Sequence, residues 1–137
     1  MRALFAAVFM VCALGQTLAA SDADRSAIRG IIQDQIEAFK RDDAGRAYSY
    51  ASPTLQNRFG SQERFMAMVK EGYAPVYRPR SYAMGEFKDT PDGTSLSVQI
   101  QDQEGVDWVA IYTLEQQPDG TWRISGCYLA KAPGQAV

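Results

Sequence analysis

Residues 107–116, DWVAIYTLEQ, form the stretch that decides how this chain folds. Trp108, Ala110 and Tyr112 fall on alternate positions, and Val109 and Ile111 occupy the positions between them. Successive side chains of a β-strand point to opposite faces, so the stretch predicts a strand that is apolar on both faces. Such a strand needs a cover on each side.

Three neighbouring segments share this period of two and predict further strands over residues 82–88, 95–102 and 121–129. They are separated by the short connections TPDGT, DQEG and PDG, each of which contains a glycine suited to a tight turn. Connections this short join only antiparallel neighbours. The second half of the chain is therefore predicted to be a four-stranded antiparallel meander.

The preceding residues show helical periodicity instead. Residues 22–41 carry one apolar stripe at three- and four-residue steps, made of Ile28, Ile31, Ile32, Gln35, Ile36 and Phe39. A shorter helix is predicted over 44–51, closed by Ser52-Pro53, and a third follows Gly60. The predicted fold class is α+β, with three N-terminal helices packed on a curved four-stranded antiparallel meander.

Three helices cover one face of such a sheet, which leaves two interpretations of the doubly apolar third strand. Long side chains of neighbouring strands could shield its outer face. Alternatively, the outer sheet face forms a homodimer interface, with Ile111 near its centre.

The first residues have the layout of a secretory signal: a basic Arg2, an apolar run over residues 3–14, and small residues after it. The run is too short for a good permanent membrane span. We expect residues 1–19 to be a Sec-type signal peptide, cleaved after Ala19 or at nearby Ala20 or Ala23. Residues 20–137 then form a single domain that is periplasmic or secreted, with no membrane attachment after cleavage.

Composition excludes several functions. The chain has no histidine and two cysteines, and removal of the signal leaves Cys127 alone. Histidine-dependent nucleophilic triads and the usual zinc or copper sites therefore cannot be assembled, and no metal site is expected. The absence of a phosphate-binding loop or GxGxxG motif predicts no cofactor. A net charge of −2 argues against nucleic acid as a partner.

The segment GYAPVYRPRSYAMGEF, residues 72–87, is the strongest candidate for a binding site. Ala74 and Arg78 each precede a proline, which favours an extended bridge from the third helix to the first strand. The candidate ligand-binding residues are Tyr73, Tyr77, Arg78, Arg80 and Tyr82, for a small apolar or anionic ligand. Alternatively, the tyrosines close the edge of the core, and the arginines bond to helix C-terminal carbonyls or local acids.

No complete catalytic constellation is present, and no catalytic residue is assigned. Glu86 and Asp107 are weak candidates for a general base, because each lies in or at the start of a predicted strand. In a regular strand Glu86 lies on the same face as Tyr82 and Met84, and it would lie among aromatic residues if that face lines the interior. The alternative is that Glu86 faces water or pairs with an arginine.

Three stretches carry a resemblance to a known family: IRGIIQDQIEAFKRDDAGRAYSYASP, ERFMAMVKEGYAPVYRPRSYAMGEF and DGTWRISGCYL. The chain resembles the bacterial family described as domain of unknown function 4864. It shares the layout of the cone-shaped fold of nuclear transport factor 2, ketosteroid isomerase and SnoaL-type cyclases. The resemblance implies that cone fold and an exported bacterial protein, and it supplies no established activity and no catalytic residue.

Three functions are compatible with these observations. The first is an exported, non-catalytic domain that binds a small molecule or a partner. The second is a protein-interaction or structural module whose cone is filled by its own side chains. The third is a carboxylate-based isomerase, lyase or hydratase acting in the cone pocket.

Overall fold

A computed structural model of the protein describes residues 19–133, so the predicted signal peptide falls almost wholly outside the described residues. Within this range, five helices precede four strands. The helices are α1 (Asp22–Lys40), α2 (Ala44–Ser49), α3 (Pro53–Phe59), α4 (Gln62–Gly72) and α5 (Ala74–Tyr77). The strands are β1 (Ser81–Thr90), β2 (Gly93–Gln101), β3 (Asp107–Gln116) and β4 (Trp122–Lys131). No helix in this part of the chain is both long and apolar enough to span a bilayer.

The long helix α1 forms where its periodicity predicted. Ser21 and Asp24 make a reciprocal capping box at its start, which satisfies two amides that a helix leaves free. The side chains of its apolar stripe pack into the core, where Ile28, Ile32 and Ile36 have no exposed surface.

Two short helices, α3 and α5, were not predicted. Ser52-Pro53 does not merely close α2, because the Ser52 hydroxyl accepts from the Leu55 amide and Pro53 occupies the first turn of α3. The predicted extended bridge over residues 74–78 was wrong in part, since Ala74–Tyr77 is a helical turn with Pro75 in its first turn. Proline blocks the interior of a helix but fits its first turn, where its missing N–H has no partner to lose.

The predicted meander is confirmed. The strands lie in the order β1-β2-β3-β4, and each pair is antiparallel. Two bulges interrupt the ladders, one in β1 between Met84 and Phe87 and one where β4 pairs with Thr113 and Leu114 of β3. Bulges bend and twist a strand, so both contribute to the curvature of the sheet.

The two faces of β3 have different surroundings. Ala110, Tyr112 and Leu114 are buried beneath the helices, in one core with the inward side chains of β2. On the outer face Ile111 pairs with Tyr128 of β4, and these residues are 41% and 66% exposed. Shielding by neighbouring strands is therefore incomplete on that face.

The bulge in β1 changes which residues face the interior. Gly85 and Glu86 together lie opposite Ser97, so the alternation shifts by one and Phe87, rather than Glu86, packs towards the core. Glu86 is exposed, and its backbone N–H donates a hydrogen bond to the Ser97 hydroxyl oxygen at 3.0 Å. The expectation that Glu86 shares a face with Tyr82 and Met84 was wrong, because a bulge inserts one residue into an otherwise strict period of two.

Replacement of Gly85 by alanine tests the close approach at this bulge. A Cβ atom there would lie 2.5 Å from Ser97 Oγ and 2.8 Å from the Ser97 carbonyl oxygen. We expect Gly85→Ala to lower the free energy of unfolding by about 1–3 kcal/mol, since overpacking forces the backbone to shift. Gly126→Ala is the matched control, because nothing lies within 4 Å of a Cβ at that strand position. Equal losses for the two variants in urea unfolding would contradict the proposed clash.

Candidate functional site

A cavity of about 240 Å³ lies between the helices and the inner face of the sheet. Side chains of α1, α3, α4, α5, β3 and β4 line it, and most of them are apolar. Its aromatic wall centres on Phe65, whose ring lies 6.0 Å from that of Phe39 and 5.5 Å from that of Phe59. These contacts fix the rings against one another, so the wall is a packed surface and not a set of loose side chains.

Tyr112 is among the residues that line the cavity, but its hydroxyl oxygen is buried behind the wall. Tyr112 is 1% exposed, and among the described residues no group meets hydrogen-bond geometry with this hydroxyl. Burial, with a smaller contribution from neighbouring Cys127, raises the pKa of the hydroxyl well above its ordinary value. The group is therefore a neutral donor at physiological pH.

Cys127 lies directly across from Tyr112 in the β3–β4 ladder and also lines the cavity. Burial raises the pKa of its thiol to about 12. Only the thiolate is a good nucleophile, so this cysteine is chemically unreactive at neutral pH. The thiol lies close enough to the Tyr112 hydroxyl to affect the pKa of both groups, although the pair falls outside hydrogen-bond geometry and sulfur is a weak acceptor.

Two further polar side chains of the wall are already occupied by the protein. The buried Gln35 donates its amide to the Ala47 carbonyl at 3.1 Å, which ties α1 to α2. The Tyr73 hydroxyl donates to the Cys127 carbonyl at 2.9 Å, and burial raises the pKa of this hydroxyl. Both groups hold the walls in position.

Arg58, on α3, is the charged residue of the lining. It is exposed and makes no ion pair within residues 19–133. It occupies the last turn of its helix, where a cation is favourable next to the free carbonyls. Positive charge is thus found at the solvent side of the cavity wall and not in its interior.

The candidate residues of the segment after α4 do not converge on one site. Among the predicted ligand-binding residues, Tyr73 lines the cavity and the other four do not. Arg78 donates to the Phe39 carbonyl near the end of α1 and to the Asp42 carboxylate, at 2.9 Å in the latter contact. Tyr77 donates to the other carboxylate oxygen, and its ring lies 4.0 Å from the Arg78 guanidinium carbon.

The remaining two candidate residues, Tyr82 and Arg80, differ in whether their side chains are hydrogen-bonded. The Tyr82 hydroxyl donates to Glu37 at 3.1 Å, and burial, aided by this bond, raises its pKa to about 12. Arg80 is exposed, and its side chain makes no hydrogen bond or ion pair in the described part of the chain. Ligand binding by this set stays a prediction, and the contacts show that Tyr77, Arg78 and Tyr82 bond to α1 and the turn after it.

The two candidate bases lie away from the cavity. Glu86 and Asp107 are both exposed, and neither contributes to its lining. Residues 19–133 contain no group of three side chains that could hold a metal ion. Sequence reasoning placed Gln35 in the apolar stripe and Tyr112 on an inward position, but not as members of a site. A polar residue within an apolar stripe was the available signal.

Removal of Arg78 should destabilise the protein, whereas removal of Arg80 should not. Arg78→Ala removes the donor to a helix-end carbonyl and to one oxygen of the Asp42 carboxylate, at a cost of about 1–2 kcal/mol. Arg80→Ala is the matched control, and we expect a change within about 0.5 kcal/mol. Thermal unfolding of both variants measures the difference. If Arg78→Ala and the unmodified protein have the same melting temperature, the contacts of Arg78 do not stabilise the fold.

Comparison with known proteins agrees with this architecture. No curated protein matches the chain in sequence. A crystal structure of an NTF-2-like protein of unknown function from Silicibacter pomeroyi DSS-3 is similar in fold, with a TM-score of 0.55 and 18% sequence identity. The match covers 80% of this chain and 97% of that one. The model of the family described as domain of unknown function (DUF4864) matches residues 21–137, and the chain therefore belongs to that family, with an NTF-2-like α+β fold.

Proposed function

We propose that this protein is an exported, non-catalytic domain that binds a small molecule in the cavity beneath its helices. The observation that carries this proposal is the cavity of about 240 Å³ with its mostly apolar lining. An apolar cavity of about 150 Å³ accepts benzene, whereas pockets for larger ligands reach roughly 300–1,000 Å³. The ligand is accordingly small.

The chemistry of the wall argues against catalysis. Glu86 and Asp107, the weak candidates for a base, are exposed and outside the lining. The thiol and the buried phenol in the lining have raised pKa values, so neither is a ready nucleophile or base near neutral pH. A carboxylate-based isomerase, lyase or hydratase therefore finds little support in this cavity.

The cavity also favours binding over a purely structural or protein-interaction role. A module of that second kind would fill its interior, for which Phe39, Tyr48 and Trp108 are large enough. Phe39 lines the cavity, and the Tyr48 and Trp108 rings pack against the core without lining it. The apolar pocket that these large side chains leave unfilled favours a ligand.

Export is supported by residues 1–19, with their basic start, short apolar run and small residues near Ala19. The compartment is the periplasm or the exterior. With Cys12 removed in the signal, the mature chain keeps Cys127, whose buried thiol is suited to an oxidising compartment because it is poorly reactive.

The outer sheet face is proposed to pair with a second copy of the chain. Its centre is uncharged, and the apolar pair Ile111 and Tyr128 is flanked by Val109, Ala130 and Gln99. Four strands about 30 Å long and 4.8 Å apart present a face of roughly 600 Å². Two such faces would bury roughly 1,200 Å², the lower limit for a specific interface. In a two-fold dimer the same patch of each copy meets its counterpart, so the uncharged centre of one sheet face would contact that of the other.

Blocking the cavity tests the binding function. Met68 lines the cavity on α4, and the adjacent Ala67 is exposed on the same helix. We expect Met68→Trp to abolish the rise in melting temperature caused by small aromatic molecules, while Ala67→Trp retains it. A ligand at 100 times its dissociation constant should add about 2.7 kcal/mol to stability. Equal responses of the two variants would contradict binding in this cavity.

Native mass spectrometry of protein from the envelope of the producing cell tests export and assembly together. We expect a dimer of chains that begin near Ala20, and a folded monomer for Ile111→Lys, since a charge would be buried at the interface. Lys88→Ala, at the margin of the sheet, should leave the dimer intact. A retained Met1 would refute cleavage, and a monomer at high micromolar concentration would refute the dimer.

A further inference from the structure

Helix α3 places a cation at the edge of the cavity. Arg58 and Phe59 follow Leu55 by three and four residues, and all three line the cavity, so one face of α3 is turned towards it. Leu55 and Phe59 are half-buried, whereas Arg58 is exposed. Arg58 therefore lies where the wall of the cavity meets solvent.

The hydrogen-bond donors of Arg58 are not engaged by the protein. Its guanidinium makes no hydrogen bond, ion pair or cation–π contact within residues 19–133, although arginine carries five N–H donors in a planar fork. The Gln35, Tyr73 and Ser125 side chains, by contrast, each donate to a backbone carbonyl. None of the described residues that line the cavity is acidic. The lining thus supplies a cation without a counter-ion.

The position of Arg58 allows an anionic group to be held without being buried. A carboxylate deep in the apolar interior would lose its hydration without an ionic partner. Beside Arg58 it keeps its contact with water, and its two oxygens match the parallel N–H donors of the guanidinium. The apolar part of the same molecule can then lie against Phe39, Phe59 and Phe65, whose rings form the aromatic wall.

On the basis of the proposed binding function, we infer that the ligand is a small amphipathic carboxylate. Its flat apolar body occupies the cavity, and its carboxylate pairs with Arg58 at the edge. An exposed ion pair contributes little affinity by itself, so most of the affinity comes from burial of the apolar body. Arg58 determines the preference for an anion over a neutral molecule of the same shape.

Two flat probes of nearly equal size and shape test this preference: cinnamate, which carries a carboxylate, and cinnamamide, in which an uncharged amide replaces it. We expect cinnamate to bind the unmodified protein about fivefold more tightly at low ionic strength, which corresponds to roughly 1 kcal/mol. The preference should shrink when salt is raised to about 1 M, where the screening length is roughly 3 Å. Titration followed by NMR measures both dissociation constants.

Arginine variants locate the source of the preference. Arg58→Gln should lose the preference for cinnamate and keep its affinity for cinnamamide. Arg64→Gln is the matched control, because it removes one exposed positive charge on α4 outside the cavity lining, and it should preserve the preference. Arg58→Glu should bind cinnamylamine, which is cationic at neutral pH, more tightly than the unmodified protein does. Both glutamine variants should melt close to the unmodified protein, since neither arginine makes an ion pair within residues 19–133.

The outcomes separate this inference from the proposed function. If cinnamate and cinnamamide bind equally well to the unmodified protein, the inference fails while binding in the cavity stands. An equal loss of preference in Arg58→Gln and Arg64→Gln would also overturn it, because the effect would then come from overall charge. Met68→Trp should weaken the binding of both probes. If neither probe binds, or if both bind Met68→Trp as tightly as the unmodified protein, the proposed function fails and the inference fails with it.

Discussion

Helix α1 forms hydrogen bonds with two strands, a neighbouring helix and the segment after α5, and this constraint positions the helical layer on the sheet. Its apolar stripe contributes Ile28, Ile32 and Ile36 to the core, while polar groups along its length reach outward to the neighbouring elements. These bonds join Asp24 to Trp122, Asp34 to Arg46 and Tyr50, Glu37 to Tyr82, and the Phe39 carbonyl to Arg78. They link one helix to β4, α2, β1 and the segment after α5, so the helical layer is held at a fixed distance from the sheet.

That fixed separation explains why the interior contains a cavity at all. Protein interiors ordinarily pack with few voids, and a helix free to move would settle against the sheet. Here Gln35 and Tyr73 fasten the cavity walls by hydrogen bonds to the Ala47 and Cys127 carbonyls. The space between the walls is maintained by these bonds at their margins.

Periodicity predicted the parts of this fold that depend on one element at a time. Apolar residues recur every two positions in a strand and every three to four in a helix. This spacing alone predicted the apolar stripe of α1, the four strands and the two faces of β3. The bulge at Gly85 and Glu86 was missed because it depends on Ser97 in the neighbouring strand. Helices α3 and α5 were missed because proline can end one helix or begin the next. The cavity could be located only from the tertiary structure, since its lining comes from six elements spread along the chain.

The segment between α2 and α3 also affects how copies of the chain can meet. The Ser52 amide donates to the Ile124 carbonyl, and the Ile124 amide donates to the Tyr50 carbonyl, both at 2.8 Å. Residues 50–52 thereby pair with the outer border of β4, which as the last strand of the sheet would otherwise offer a row of unpaired backbone groups. At the opposite border, β1 carries its bulge and the charged Glu86 and Lys88. Natural sheets use bulges, charges and covering segments at their edge strands to prevent pairing with further chains and fibre growth. Both borders of this sheet are protected in these ways, so an exposed apolar surface can be kept on its broad face without promoting amyloid-like polymerisation.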